Sequence, residues 1–125
     1  MLTVKQMLEQ ANDAVPRITP EEARSLAQRS DVLFLDVREP GEVAASGKVP
    51  GALNIPRGLV EFRADPDSPL HDAEFDRART IITYCASGGR SVLVGKTLKD
   101  MGYESVRNLG GFRGWIESGG PVETV

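Results

Sequence analysis

One short stretch gathers the residues best suited to chemistry, Tyr84-Cys85-Ala86-Ser87-Gly88-Gly89-Arg90-Ser91, and it holds the only cysteine of the chain. It follows the apolar run Thr80-Ile81-Ile82-Thr83-Tyr84 and precedes a helical pattern, so the thiol is expected at a strand end, where a glycine-bearing loop opens into a helix. Backbone N–H groups at a helix start form an anion-binding concavity. Gly88 and Gly89 can take the positive φ that curls such a loop, and Arg90 adds a fixed positive charge. The same field lowers the pKa of a thiol, which predicts a nucleophilic thiolate at Cys85. A lone cysteine beside an apolar strand is more often a small buried hydrophobe. Here the loop argues for chemistry.

The loop has to be held by the elements around it. Thr3 and Gln6 stand at capping-box spacing and Val4, Met7, Leu8 and Ala11 share one face, which predicts a helix over 3–13. Residues 1–14 therefore read as an amphipathic extension docked on a domain over 15–125. A brief strand at Val15–Ile18 leads to Thr19-Pro20-Glu21-Glu22, which opens a helix through about Gln28. Val32-Leu33-Phe34-Leu35 has the continuous apolar character of a strand covered on both faces, and Asp36-Val37-Arg38-Glu39 breaks out of it. A short helix near Glu42–Ser46 precedes a strand at Ala52–Ile55, which Pro56 ends.

Residues 57–64 read as weakly helical, 65–69 as a loop, and 72–77 as a turn or two of helix. After the strand that delivers Cys85, Val94, Leu98 and Met101 line one face of a helix that Gly102 stops. A fifth strand at Ser105–Leu109 and a last helix with Phe112 and Trp115 facing the core complete the chain. Strands alternating with helices predict a mostly parallel sheet covered on both faces, with binding groups at the C-terminal strand ends. Asp36 and Cys85 both fall at such ends. Asp36 and Arg38 read either as a structural ion pair or as a pair that fixes the loops around the pocket, and Arg57 either as charge at the pocket mouth or as surface solvation.

The bulk properties narrow the class. With 125 residues, 40% hydrophobic and 26% charged, the chain has the make-up of one globular domain that needs no disulfide. Fifteen Lys and Arg against eighteen Asp and Glu give a net charge of −3, which offers no basic surplus for nucleic acid. No apolar run approaches the roughly 18 residues of a membrane span. One cysteine and no basic leader pattern read as cytoplasmic. His71, the only histidine, is expected as a solvated loop residue, and no metal or cofactor site is implied.

Three blocks carry a family resemblance: Leu35-Asp36-Val37-Arg38-Glu39 with Gly47-Lys48-Val49-Pro50-Gly51-Ala52 downstream, the Cys85 block, and Leu109-Gly110-Gly111-Phe112-Arg113-Gly114-Trp115. Spanning about residues 17–118, they are similar to the rhodanese family, and within it to the single-domain sulfurtransferases. The resemblance implies a three-layer α/β/α domain around a five-stranded sheet, Cys85 as the sulfur carrier, and a cradle for the transferred group formed by Ala86, Ser87, Gly88, Gly89, Arg90 and Ser91. One departure is Gly47-Lys48, where the family commonly has Gly-His; Lys48 is expected to be a surface turn residue.

The activity so implied is transfer of sulfane sulfur from thiosulfate or a related small anionic donor, through a Cys85 persulfide, to cyanide, a thiol or a protein acceptor. A second reading makes the chain a persulfide carrier or interaction module, recruited through Val4, Met7 and Leu8 of the first helix. Phosphatases and arsenate reductases of the same fold are disfavoured by loop length. The related cell-cycle phosphatases place five residues between Cys and Arg, and here four separate Cys85 from Arg90.

Overall fold

The computed structural model describes all 125 residues. Four parallel strands form its sheet: β1 (Val32–Asp36), β2 (Leu53–Asn54), β3 (Thr80–Cys85) and β4 (Val106–Gly111), in the order β2-β1-β3-β4. Helices α1 (Val4–Ala14), α2 (Pro20–Leu26), α3 (Pro40–Ser46), α4 (Val60–Ala64), α5 (Gly89–Asp100) and α6 (Phe112–Glu117) connect and cover them. The expected strand at Val15–Ile18 is reduced to an isolated bridge of Arg17 with Asn108, supported by Ile18 N–H to Asn108 O and Asn108 N–H to Pro16 O. Pro16 has no N–H to give, so this edge cannot extend into a regular ladder. The expected helical turns at 72–77 are plain turns, closed by Asp72 and Asp76 accepting from the Glu74 and Ala78 N–H groups.

Alternation inside the apolar runs assigns each strand residue to a face. Leu33, Leu35, Ile81 and Cys85 face α1, α4 and α5, where Ala11, Val60, Ala64, Val92 and Leu98 complete one core. Phe34, Ile82, Tyr84 and Leu109 face α2 and α6, where Ala23, Phe112 and Trp115 complete the other. Each fully buried large apolar side chain contributes about 1.5–3 kcal/mol, so the two layers hold the central strands in place. The first helix belongs to this body: Ala11 is fully buried and Leu8 packs against the core, which leaves Met1, Leu2 and Val4 exposed. The expected capping box of Thr3 with Gln6 forms, and Thr19, which opens α2 as expected, forms a second one with Glu22. No helix is long and apolar enough to cross a membrane.

One irregularity bears on the site. Between β3 and β4 the register shifts, so that Thr83 pairs with Asn108 but Tyr84 with Gly110. The extra residue, Leu109, bends β4 as a β-bulge, and Gly110 takes φ 94. Such a bulge re-aims the side chains on either side of it.

Candidate active site

Cys85 ends β3, and α5 begins four residues later. Gly88 caps that helix in the left-handed conformation with φ 102, which turns its N–H onto Cys85 Sγ at 3.0 Å. Gly89 has no positive φ and is already helical, so Ala86–Gly88 form the loop while Gly89, Arg90 and Ser91 make the first turn of α5. A Cβ on Gly88 would lie 3.2 Å from Gly110 Cα, and one on Gly111 would lie 2.6 Å from Ala86 O. The glycine pair of β4 therefore lets the loop rest directly on the strand beside it.

The Cys85 side chain is 0% exposed. Burial pushes its thiol up, but hydrogen bonds from the Ser91 hydroxyl and from the Ser91, Gly88 and Ser87 N–H groups outweigh that and hold it below its ordinary value. Ser91 Oγ lies 3.4 Å from Sγ, 2.8 Å from Asn108 Oδ1 and 3.1 Å from Gly88 O. While the thiol keeps its proton, the hydroxyl donates to Asn108; once the sulfur is ionised, the hydroxyl can turn and donate to it. Asn108 is fixed in turn by the Gly110 N–H at 3.0 Å, a contact made possible by the bulge. Thr83 ties the same turn of α5 to the sheet through its hydroxyl and Ser91 O at 3.0 Å.

Arg90 does not stand free beside the thiol. Its Nη1 and Nη2 donate to Glu42 Oε2 and Oε1 at 2.8 and 2.9 Å, with the two side chains 34% and 37% exposed. The guanidinium holds the Glu42 carboxyl at about 2, and Glu42 raises Arg90 further above its already high value. Glu42 also accepts the Glu39 N–H at 2.8 Å, closing the N-terminal box of α3.

Asp36 and Arg38 form a buried pair at 2.7 Å, with side chains 0% and 3% exposed. Arg38 goes on to donate to Ser46 Oγ and Gly47 O, both at 2.7 Å, and stacks 4.6 Å from the Phe112 ring centroid. The pair thus clamps the C-terminal end of α3, the helix that carries Glu42, and has no direct bond to Cys85. Arg57 is exposed at the start of a 3₁₀ turn, held by its N–H to Val37 O, and no hydrogen bond joins it to the loop. Lys48 is a tether as well as a turn residue: its ammonium donates to Ala52 O at 2.8 Å and pairs with Glu123.

His71 departs from expectation. It is half-buried, its Nε2 is enclosed without a hydrogen-bond partner, and it lines a cavity of about 350 Å³ with Phe75, Asp76 and Tyr103, away from Cys85. The Thr80–Ser91 segment thus brings the Cys85 sulfur, the Gly88 amide and the Ser91 hydroxyl together. Glu42 and Asn108 were missed. The only sequence signals for them were the Glu39–Glu42 box spacing and the glycine pair just after Asn108.

Comparison with known proteins agrees with this architecture. A sulfurtransferase of Allochromatium vinosum is 36% identical over 101 residues, covering 80% of this chain and 86% of its own. The human thiosulfate:glutathione sulfurtransferase is 32% identical, covering 82% of this chain and 94% of its own. A solved structure from Rhodopseudomonas palustris, described as a protein of unknown function and possible tyrosine phosphatase, superposes with a TM-score of 0.92 at 39% identity, covering 98% of this chain and 96% of that one. The rhodanese-like domain model matches residues 19–118, from the N-cap of α2 to the end of α6, and the chain belongs to that family.

Proposed function

We propose that the protein transfers sulfane sulfur through a persulfide on Cys85, with thiosulfate as one donor. The observation that carries this is the Cys85 sulfur held 3.0 Å from the Gly88 N–H at the start of a twelve-residue helix. The Cys85 thiolate attacks the outer sulfur of the donor; a new S–S bond forms while the donor's own S–S bond breaks, and its electron pair leaves with sulfite. The product is Cys85–S–S⁻. Cyanide or a thiolate then attacks the outer sulfur and leaves as thiocyanate or a persulfide, returning the Cys85 thiolate. Neither step moves a proton, which suits a site whose groups around the sulfur are amides and a hydroxyl. Because Cys85 is fully buried, a donor can reach its sulfur only when part of the cover over it moves. The relatives named as sulfurtransferases support this reading, and the four-residue spacing to Arg90 speaks against phosphoryl transfer.

Intact-protein mass spectrometry tests it. Thiosulfate is expected to add one sulfur atom that a thiol then removes, and Cys85→Ser is expected to abolish both changes. The alkylation rate of folded protein is expected to inflect below the ~8.5 of a free thiol. No added sulfur on the wild type, or an addition that survives Cys85→Ser, overturns the proposal. A second reading, delivery of sulfur by a partner protein, is favoured by the exposed Met1, Leu2 and Val4 at the first helix. It predicts slow turnover with thiosulfate and fast turnover with a protein persulfide.

A further inference from the structure

The cation nearest the nucleophile is already spoken for. Arg90 lies in the first turn of α5, five residues after Cys85, yet both of its terminal nitrogens hold the Glu42 carboxylate at 2.8 and 2.9 Å. The carboxylate is anchored from its other side by the Glu39 N–H at 2.8 Å, and α3 itself is clamped by Arg38 through Ser46 and Gly47. Three elements therefore keep Glu42 in place, and it stays ionised across the whole neutral range. With the thiolate counted, Cys85, Arg90 and Glu42 together carry one positive and two negative charges, and the exposed Arg17 guanidinium stands on the far side of the loop against Gly110. A dianion such as thiosulfate meets a site whose nearest cation is neutralised, and the loop amides remain to hold it. A neutral hydropersulfide, R–S–S–H, meets no such opposition.

We infer that Glu42 is a positioning residue that pins and neutralises Arg90, and that it thereby selects donors by charge, disfavouring thiosulfate relative to uncharged hydropersulfides. The inference rests on the persulfide chemistry proposed for Cys85. In the favoured step the thiolate attacks the outer sulfur of R–S–S–H, the bond between the two donor sulfurs breaks, and the departing R–S⁻ takes the proton of the outer sulfur. The products are Cys85–S–S⁻ and R–SH, with atoms and charge conserved and no oxidant required.

Glu42→Gln is the test, because the amide oxygen still closes the box at Glu39 while the charge is gone. Single-turnover formation of the Cys85 persulfide is followed by mass with thiosulfate and with the hydropersulfide of 2-mercaptoethanol. The variant is expected to react about tenfold faster with thiosulfate, the scale of removing one nearby like charge in a partly solvated site, and to change less than about twofold with the hydropersulfide. Raising the salt concentration is expected to shrink the thiosulfate gain. An unchanged or slower thiosulfate rate, or equal changes with both donors, overturns the inference, since a merely structural role moves the two together.

A measurement on the wild type covers a variant that does not fold. Its thiosulfate rate is expected to rise with ionic strength, as for reactants of like charge, while the hydropersulfide rate stays flat; a thiosulfate rate that falls with salt overturns the inference. If neither donor yields a persulfide on the wild type, the sulfur-transfer proposal itself has failed, an outcome distinct from either result above.

Discussion

Arg38 and Arg90 each grip a carboxylate through two nitrogens at nearly the same distances, 2.7 to 3.2 Å for Arg38 with Asp36 and 2.8 to 2.9 Å for Arg90 with Glu42, yet they do different work. The Asp36–Arg38 pair is out of water. Every direction around its guanidinium is taken by Asp36, Ser46, Gly47 or the aromatic faces of Tyr84 and Phe112. The Glu42–Arg90 pair is about one-third exposed on each side and borders the loop over Cys85. Burial, more than pairing geometry, separates a clamp from a group that a ligand can reach. A buried pair cannot be opened without leaving a charge unsolvated, whereas an exposed one trades its partner for water or an anion at little cost.

The largest expected effect is on the clamp. Arg38→Ala is expected to cost about 3–5 kcal/mol of stability, because it strands the Asp36 carboxylate inside the protein. Urea denaturation followed by circular dichroism reads this directly; a loss below about 1 kcal/mol would place Arg38 in the same class as Arg90 and erase the contrast. Next comes Arg90→Ala, which is expected to lower kcat/KM for thiosulfate by about tenfold, because it leaves the Glu42 carboxylate unpaired near the thiolate, with stability changed by under about 1 kcal/mol. Steady-state kinetics and denaturation on the same sample decide it. A large stability loss with unaltered kinetics would reverse the two roles.

The smallest effect is an acid titration of the exposed pair. Glu42 is lowered from the ordinary 4.5 to about 2 in the folded protein, so its contribution to stability is complete above about pH 4.5 and is lost as the pH falls toward 2. The stability difference between wild type and Glu42→Gln is therefore expected to be constant at neutral pH and to vanish near pH 2. A difference that persists at pH 2 would mean that Glu42 acts through its shape and the α3 box instead of its charge.

The part of the site legible in the sequence is the part built from neighbours along the chain. Cys85, the loop amides, the α5 start and Ser91 are within seven residues of one another, and a strand followed by glycines and a helix has few ways to fold. The caps at Thr3 and Thr19 and the stop at Gly102 were readable for the same reason: each is a contact across three or four residues. The strand expected at Val15–Ile18 was less secure, because short apolar runs do not announce whether a partner edge is free for them. His71 is a loop residue as expected but half-buried, since composition describes a loop as polar without saying which of its side chains line a pocket with Phe75 and Tyr103.

By itself, then, the sequence determined the cysteine-bearing loop between a strand and a helix and the parallel α/β frame, both set by local spacing and the alternation of apolar runs. Tertiary structure alone decided which charges meet. Glu42 and Arg90 are 48 residues apart, and Ser91 and Asn108 are 17 apart on different elements. Their contacts exist only because β3 and β4 pair with a bulge at Leu109 and because Arg38 draws the end of α3 toward the sheet. Residue type says that an arginine near a thiol can bind an anion. Only the packed molecule shows that a carboxylate has reached that arginine first, because a distance through space between remote segments is fixed by the fold and leaves no periodic trace in the chain.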